Sequence, residues 1–218
     1  MLYQKDGCLF VEWGKPLYHS ITLDHFKSLL RTSNLHFALD STFYDENEHS
    51  SAIQIPSSVT VPTTKDLIEI EPREFFFCHC WHASDGPGND MFSGNDSSGR
   101  QIIIETNFRA LFDSISSNKI FAGKVSYRKI EDFEMKPLTS FAQKFIKDWG
   151  FRNEEEFRLL IVRNTGENAD PDHIDIPVNL ELIINEILVR KTAASDLPQI
   201  EELVAKLGSN KSVKLLKW

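Results

Sequence analysis

Three consecutive glutamates stand directly before an apolar run of the sequence. Glu154-Glu155-Glu156 is followed by Phe157-Arg158 and then by the apolar segment 159–162. If this segment is a strand, Glu154 and Glu156 share a face, because residues two apart project to the same side of a sheet. Neighbouring carboxylates repel each other, so we expect the pKa of one to be raised. Such a pair suits acid–base catalysis or stabilisation of a sugar cation. The commoner alternative is a solvated strand entry in which Arg158 pairs with one carboxylate.

His19 is the second residue that invites a chemical interpretation. It follows Leu17-Tyr18 and precedes Thr22, which is a good helix cap. If His19 is functional, this position between a strand and a helix places it where the strand end meets a cleft. A lone histidine more often has a satisfied structural role. The sequence leaves both interpretations open.

Cys78-His79-Cys80-Trp81-His82 resembles a metal-binding run, but the spacing is unfavourable. On a strand Cys78 and Cys80 share one face and His79 points to the other, so their side chains do not converge on one ion. Zinc commonly takes two separated pairs of cysteine or histidine ligands, and no second pair is present. We therefore predict no metal site. A metal-assisted hydrolase that combines this run with Asp45, Glu48 and His49 is the least favoured of the alternatives.

The elements that must position these residues indicate an α+β fold. Strands outnumber helices and there is no regular β-α-β alternation, which predicts a mixed, mostly antiparallel sheet with flanking helices. The aromatic run at 74–81 is typical of a strand buried on both faces. Helical spacing of apolar residues predicts helices after Thr22, after Asn107, around Phe145 and after Asp196. Strands are predicted at 35–39, 101–105, 120–127, 155–162, 186–189 and 212–218.

Composition limits the class of protein. The 218 residues include 24 basic and 32 acidic side chains, for a formal charge of −8, and 41% are hydrophobic. We expect one domain over residues 1–218, because that length is typical of a single core and no linker is visible. The acidic balance disfavours a general nucleic-acid binder, whose grip on phosphates needs excess Lys and Arg.

The sequence also bears on the cellular location of the protein. No stretch approaches the roughly 20 apolar residues of a membrane-spanning helix. The first residues show no basic region followed by an apolar run, and the cysteine count is odd, with Cys8, Cys78 and Cys80. We expect a cytoplasmic protein with reduced thiols and no membrane partner.

The order of the motifs resembles a bacterial family catalogued as domain of unknown function 2971, over residues 17–218. Leu17-Tyr18-His19 is similar to the opening segment of that family, and 43–48 is similar to its Phe-Asn-Asp-Pro-x-Glu block. Three further motifs of that family follow in the same order. Its Cys-Phe-Ser strand end resembles Cys80-Trp81-His82, its Met-Trp-x-x-Tyr loop resembles 91–95, and its Gly-Val-x-Ile strand resembles 99–102. Segment 123–127 resembles its Val-x-Tyr strand, and 154–158 matches its closing Glu-x-Glu-Trp-Arg. Phe92, Asn95 and His82 depart from the family pattern, which puts the middle of any site in doubt.

The same plan also resembles the ADP-ribosyltransferase superfamily. That resemblance implies NAD as the substrate, with Tyr18 and His19 near it and His19 on the adenosine-side ribose. It implies that Glu156 bonds to the nicotinamide ribose and that Glu154 orients or deprotonates the acceptor. Cleavage of the nicotinamide–ribose bond develops positive charge on the sugar, which a fixed carboxylate stabilises. An aromatic ring from Trp81 or Phe92 would stack on the nicotinamide.

Two functions follow from these resemblances. The first is an NAD-dependent ADP-ribosyltransferase-like protein or NAD glycohydrolase that acts as a toxin or phage-defence effector, with a nucleotide as its small-molecule partner and a protein as a further acceptor. The second is a non-catalytic module on the same fold that binds a protein or a nucleotide. The departures at Phe92 and Asn95 favour the second function.

Overall fold

The computed structural model describes residues 14–39, 76–88, 102–115, 120–129, 144–162, 172–208 and 211–216. Its strands are β1 (Pro16–Ile21), β2 (Asn34–Leu39), β3 (Phe76–His82), β4 (Ile102–Asn107), β5 (Ile120–Lys124), β6 (Ser126–Arg128), β7 (Ile146–Asp148), β8 (Glu156–Val162), β9 (His173–Pro177), β10 (Glu186–Val189) and β11 (Ser212–Leu215). Its α-helices are α1 (Leu23–Thr32), α2 (Phe108–Ser114), α3 (Leu180–Ile183) and α4 (Leu197–Ala205). Short 3-10 helices cover Trp149–Glu154 and Lys191–Asp196.

Most of the strands form one sheet. Within the described residues nine strands belong to it, in the order β11-β10-β4-β1-β3-β2-β9, and β8 and β5 extend it from β3. Every pairing in it is antiparallel except β10 with β11. The predicted α+β class, with a mostly antiparallel sheet and flanking helices, is confirmed.

The sheet is forked at β3. β8 pairs with β3 along the whole of Phe76–His82 and so occupies one edge of that strand. β1 and β2 must therefore share the other edge: β2 pairs at Cys78 and Phe77, and β1 pairs only at the opposite end, Tyr18 with His82. β1 instead pairs with β4 at every one of its positions. Between these two contacts the edge of β3 around residues 79–81 pairs with no strand among the described residues.

The two faces of the sheet differ in what covers them. One face, which we call the core face, carries Leu17, Phe77 and Ile104 and packs against the helices through Phe26, Leu111 and other apolar residues. The opposite face, which we call the second face, carries two smaller apolar clusters, one around Tyr18 and Ile103 and one around Phe76, Cys78, Phe145 and Leu160. Alternation along each strand assigns every side chain of the sheet to one of these faces.

Helix boundaries follow from local caps. The Thr22 hydroxyl accepts a hydrogen bond from the His25 N–H at the start of α1, and the Asn107 side chain caps α2 in the same way at Ala110. Both caps are as predicted. Asp196 precedes α4 but makes no side-chain cap bond, because the 3-10 helix leads directly into α4. Among the described helices, none has the length and apolar character needed to cross a membrane.

One predicted helix is wrong. The spacing of Phe141, Phe145, Ile146 and Trp149 predicts a helix. Phe141 lies outside the described residues, but Phe145 lies in a turn, Ile146 begins β7 and Trp149 opens a 3-10 helix. β7 pairs in parallel with β6. The single strand expected at 120–127 is instead divided at Val125 into β5 and β6. Tertiary pairing has therefore overridden the local 3.6-residue pattern.

The prediction that Thr22 caps α1 can be tested directly. Thr22→Ala is expected to lower the free energy of unfolding by about 1 kcal/mol, since the His25 N–H loses its acceptor. Urea unfolding followed by circular dichroism measures the difference. Thr22→Ser retains the hydroxyl and is the matched control, so equal losses in both variants would contradict the capping role.

Candidate active site

The carboxylate of Glu156 is the centre of a buried charge cluster on the second face. Its oxygens accept hydrogen bonds from Arg158, with Nε at 2.5 Å from Oε1 and Nη2 at 3.1 Å from Oε2. Lys147 Nζ lies 3.3 Å from Oε2, and the Cys80 thiol donates to the same carboxylate. Only 5% of Glu156 is exposed. A charge buried this deeply requires partners of this kind, because desolvation by itself is strongly unfavourable.

The protonation state of Glu156 follows from these contacts. Burial on its own would raise the pKa, but the charge and hydrogen bonds of Arg158, together with Lys147 and Cys80, lower the pKa of Glu156 to about 2. The raised pKa expected from carboxylate repulsion is therefore not found at Glu156. Burial and the nearby Glu156 charge raise the pKa of the Cys80 thiol, which stays protonated and serves as a donor.

Glu154 reaches the same cluster by a different route from the one expected. It is the last residue of the 3-10 helix, and Glu155 adopts a left-handed conformation (φ 40°, ψ 44°) before β8 begins at Glu156. The two glutamates therefore do not share a strand face as residues two apart. Both nevertheless contact one cation, since Glu154 Oε2 lies 2.6 Å from Lys147 Nζ. The convergence of the two carboxylates was predicted, but the backbone geometry behind it was wrong.

Lys147 is the site residue that sequence reasoning missed. It lies on β7, where a helix was expected, and only 13% of its side chain is exposed. The segment that carries it is tied to the second face by Ser126 N–H to Phe145 O and by Arg158 Nη1 to Lys144 O, both at 2.8 Å. Gly123 permits this close packing, since a Cβ there would lie 3.2 Å from the Phe145 ring. The alternation of apolar Ile146 with polar Lys147 was too short a signal to mark a strand.

A pocket opens beside the charge cluster, where β3 ends and β8 begins. Its volume is about 260 Å³, and it is lined by His82, Ser84, Gly86, Gly88, Arg152, Asn153, Glu154 and Glu155. The His82 ring closes one side, because its Nδ1 donates to the Glu154 carbonyl oxygen at 2.8 Å. Glu154 lines the pocket with a side chain that is 39% exposed, whereas Glu156 is buried and is not among the lining residues.

His19 and Trp81 lie on the core face, opposite the charge cluster. The His19 ring occupies the fork beside β3, where its Nδ1 donates to the Cys80 carbonyl oxygen at 3.0 Å. It packs against His79 and Trp81, with ring centroids 4.5 Å and 5.2 Å away. Trp81 is 1% exposed and belongs to the main core. The structure therefore brings His19 and Trp81 together and separates both from Glu156 by the thickness of the sheet.

His79 completes the aromatic group at the fork. Its Nδ1 donates to the His36 carbonyl oxygen at 2.9 Å, and burial lowers its pKa to about 4, so the ring is neutral at pH 7. Within the described part of the chain, the buried His79 Nε2 and Trp81 Nε1 have no hydrogen-bond partner. As predicted, His79 points away from the face that carries Cys78 and Cys80.

Tyr18 lies on the same face as Glu156. It is directly opposite His82, which in turn is opposite Glu156, so the three side chains form a row across β1, β3 and β8. Its hydroxyl bonds to the Glu105 carboxylate, and burial together with the charge of Glu105 raises the pKa of Tyr18 to about 12. Phe92, the remaining predicted cofactor-binding residue, lies outside the described residues, as do Asp45, Glu48 and His49.

Comparison with known proteins identifies no family for the chain. No family model matches it, so the resemblance to domain of unknown function 2971 is not confirmed. No curated protein matches it either.

Solved structures give a remote similarity. Thermus sp. 2.9 DarT in complex with NAD+ matches with 12% identity and a TM-score of 0.43, over 95% of this chain and 98% of that chain. The same protein in complex with ADP-ribosylated ssDNA matches with 12% identity and a TM-score of 0.44, over 97% and 98%. Its complex with carba-NAD+ gives 13% and 0.40, over 93% and 96%. A similarity this remote does not indicate an activity for this chain.

The buried cluster predicts a large loss of stability when one partner is removed. Glu156→Ala removes the carboxylate that pairs with Arg158 and one of the two carboxylates that contact Lys147. It is expected to lower the free energy of unfolding by about 3–5 kcal/mol. Urea unfolding measures this loss. The double variant Glu156→Ala/Arg158→Ala is expected to be less destabilised than the sum of the two single variants, whereas additive losses would show that the pair is not coupled.

The lowered pKa of Glu156 also predicts a pH dependence. The unfolded side chain takes up its proton near pH 4.5 and the folded one near pH 2, so its contribution is complete above pH 4.5 and is lost as pH falls toward 2. The difference in unfolding free energy between the parent and Glu156→Gln is therefore expected to shrink over that interval. Urea unfolding at pH 7, 5, 4 and 3 measures it, and a constant difference would contradict the assignment.

Proposed function

We propose that the chain cleaves the nicotinamide–ribose bond of NAD and transfers ADP-ribose to an acceptor or to water. The observation that carries this proposal is that two carboxylates contact Lys147: Glu154, which lines the pocket, and Glu156, which is buried and ionised. The resemblance of the motif order to ADP-ribosyltransferases supports the same reaction. A role as a toxin or phage-defence effector remains a further prediction from that resemblance.

The reaction suits a carboxylate at the position of Glu154. When the bond from ribose C1′ to the nicotinamide nitrogen breaks, its electron pair neutralises the pyridinium, and positive charge develops on the sugar. A fixed negative group beside the sugar stabilises that charge, most effectively where water is partly excluded. The acceptor then bonds to C1′ and its proton passes to the Glu154 carboxylate. Glu154 lines the pocket and is accessible enough to perform both tasks.

Glu156 has a positioning role in this proposal. Its carboxylate is saturated by Arg158, Lys147 and Cys80, and direct contact with the nicotinamide ribose would require it to leave these partners. In its observed position Glu156 fixes the Lys147 ammonium, which in turn holds the Glu154 carboxylate. The resemblance assigned ribose binding to Glu156, and the contacts favour this indirect role instead.

The remaining pocket residues fit a nucleotide substrate. Arg152 supplies a positive charge for the diphosphate, and its guanidinium also lies over the Trp149 ring. Gly86 and Gly88 allow the substrate to approach the backbone closely, because they carry no side chain. His82 adds a ring whose Nδ1 is already committed to the Glu154 carbonyl, which leaves Nε2 as the polar atom available to a ligand.

Nicotinamide release from NAD is the direct test. Glu154→Gln removes the negative charge but not the side-chain volume, so the release rate is expected to fall by about 10²–10⁴-fold. Chromatographic quantification of nicotinamide measures it. Glu201→Gln, on the exposed face of α4, is the matched control and is expected to retain the parent rate. A parent rate in Glu154→Gln would overturn the proposal.

A second function is favoured by the fully paired carboxylate of Glu156. A module that binds a nucleotide without turnover needs no free carboxylate, and the saturated Glu156 fits that description. Calorimetric titration of the full chain with NAD distinguishes the two functions. Tight binding without any nicotinamide release would support the module, whereas release that depends on Glu154 would exclude it.

A further inference from the structure

Two histidines and an aspartate meet on β2 and β9, and none of the three lines the pocket. β2 and β9 pair with His36 opposite Asp175 and with Ala38 opposite His173. Since paired residues and residues two apart share a face, His36, His173 and Asp175 project to the same side of the sheet. One potential ligand atom from each lies within 4.8 Å of the other two.

The spacing of these atoms fits coordination of one small cation. His36 Nδ1 lies 3.1 Å from Asp175 Oδ1, and the His36 and His173 rings have centroids 4.5 Å apart. Neighbouring ligands of a tetrahedral ion with bonds of about 2.0 Å lie roughly 3.3 Å apart, so small side-chain rotations would complete the site. The side chains are 60%, 44% and 46% exposed in the order His36, His173 and Asp175, which leaves room for these rotations and for a water ligand.

A fourth residue orients one of the imidazoles. Asp172 Oδ1 accepts a hydrogen bond from His173 Nδ1 at 2.5 Å, which leaves His173 Nε2 as the nitrogen free to bind. Metal-binding histidines commonly donate their other ring N–H to a carboxylate in this way. Asp172 and Asp175 together carry two negative charges, which balance a dication bound by two neutral imidazoles.

We propose that His36, His173 and Asp175 form a site for a divalent transition cation of the zinc type, with Asp172 as a positioning residue. Imidazole nitrogens select zinc, copper and nickel over magnesium and calcium, which prefer oxygen ligands. Three protein ligands leave one coordination position for water or a substrate atom, as in open zinc sites. The site is separate from the pocket at Glu154, and it does not depend on the proposed reaction with NAD.

Calorimetric titration of the untagged full chain with zinc chloride tests the proposal. We expect one zinc ion per chain, no comparable binding of magnesium, and loss of that zinc binding in both His36→Ala and His173→Ala. Asp172→Asn is expected to weaken zinc affinity by about 10–100-fold, because it acts through His173. Absorption spectra with cobalt(II) in place of zinc give an independent readout. The visible bands of a four-coordinate site are expected in the parent and are expected to be absent in His36→Ala and His173→Ala.

His25→Ala is the matched control, since His25 is an exposed histidine on α1 away from this site. It is expected to bind zinc like the parent. Circular dichroism of each variant verifies folding, and the exposure of the substituted side chains makes a folding defect unexpected. The proposal is wrong if the parent binds no zinc, if zinc binding survives in His36→Ala and His173→Ala, or if His25→Ala abolishes it equally.

Discussion

A strand has only two edges, and three of the described strands pair with β3, so two of them must share one edge. This constraint determines the arrangement of the neighbouring strands. β8 covers one edge along the full strand, so β1 and β2 divide the other between them. No strand in the described part of the chain pairs with the middle of that edge, and unpaired backbone groups in an interior are costly. The His19 ring satisfies the Cys80 carbonyl at this point, and His79 in turn satisfies the His36 carbonyl on β2. The aromatic group at the fork is thus a consequence of strand pairing.

The charge cluster depends on the opposite edge of β3. Because β8 runs beside β3 in full register, Glu156 and Arg158 are set next to Cys80 on the second face. The segment from Lys144 to Glu154 packs on that face, and its Lys147 contacts both carboxylates. Lys147 on β7 contacts Glu154 of the 3-10 helix and Glu156 on β8, and Arg158 contacts Glu156 within β8. The contacts that hold this segment therefore also hold the site.

The pocket inherits its chemistry from this arrangement. The Glu154 carboxylate is held by Lys147, while Glu156 remains ionised because Arg158, Lys147 and Cys80 together outweigh the cost of burial. A carboxylate whose position and charge are set before the substrate arrives needs no reorganisation during the reaction, which is the main source of electrostatic catalysis. The left-handed Glu155 is the local cost of the turn that separates the two carboxylates. Stability and the proposed reaction therefore share the same few contacts.

The sequence by itself determined the α+β class, the caps at Thr22 and Asn107, the buried run of β3 and the opposite orientations of His79 and Cys80. These are properties of local periodicity and of individual side chains. Only the tertiary structure decided that Lys147 lies between the two carboxylates and that His19 lies on the opposite face from Glu156. It also decided that His36 meets Asp175, 139 residues away. Strand order and register depend on pairing between distant segments, and a single sequence carries no signal for such pairing that exceeds its local patterns.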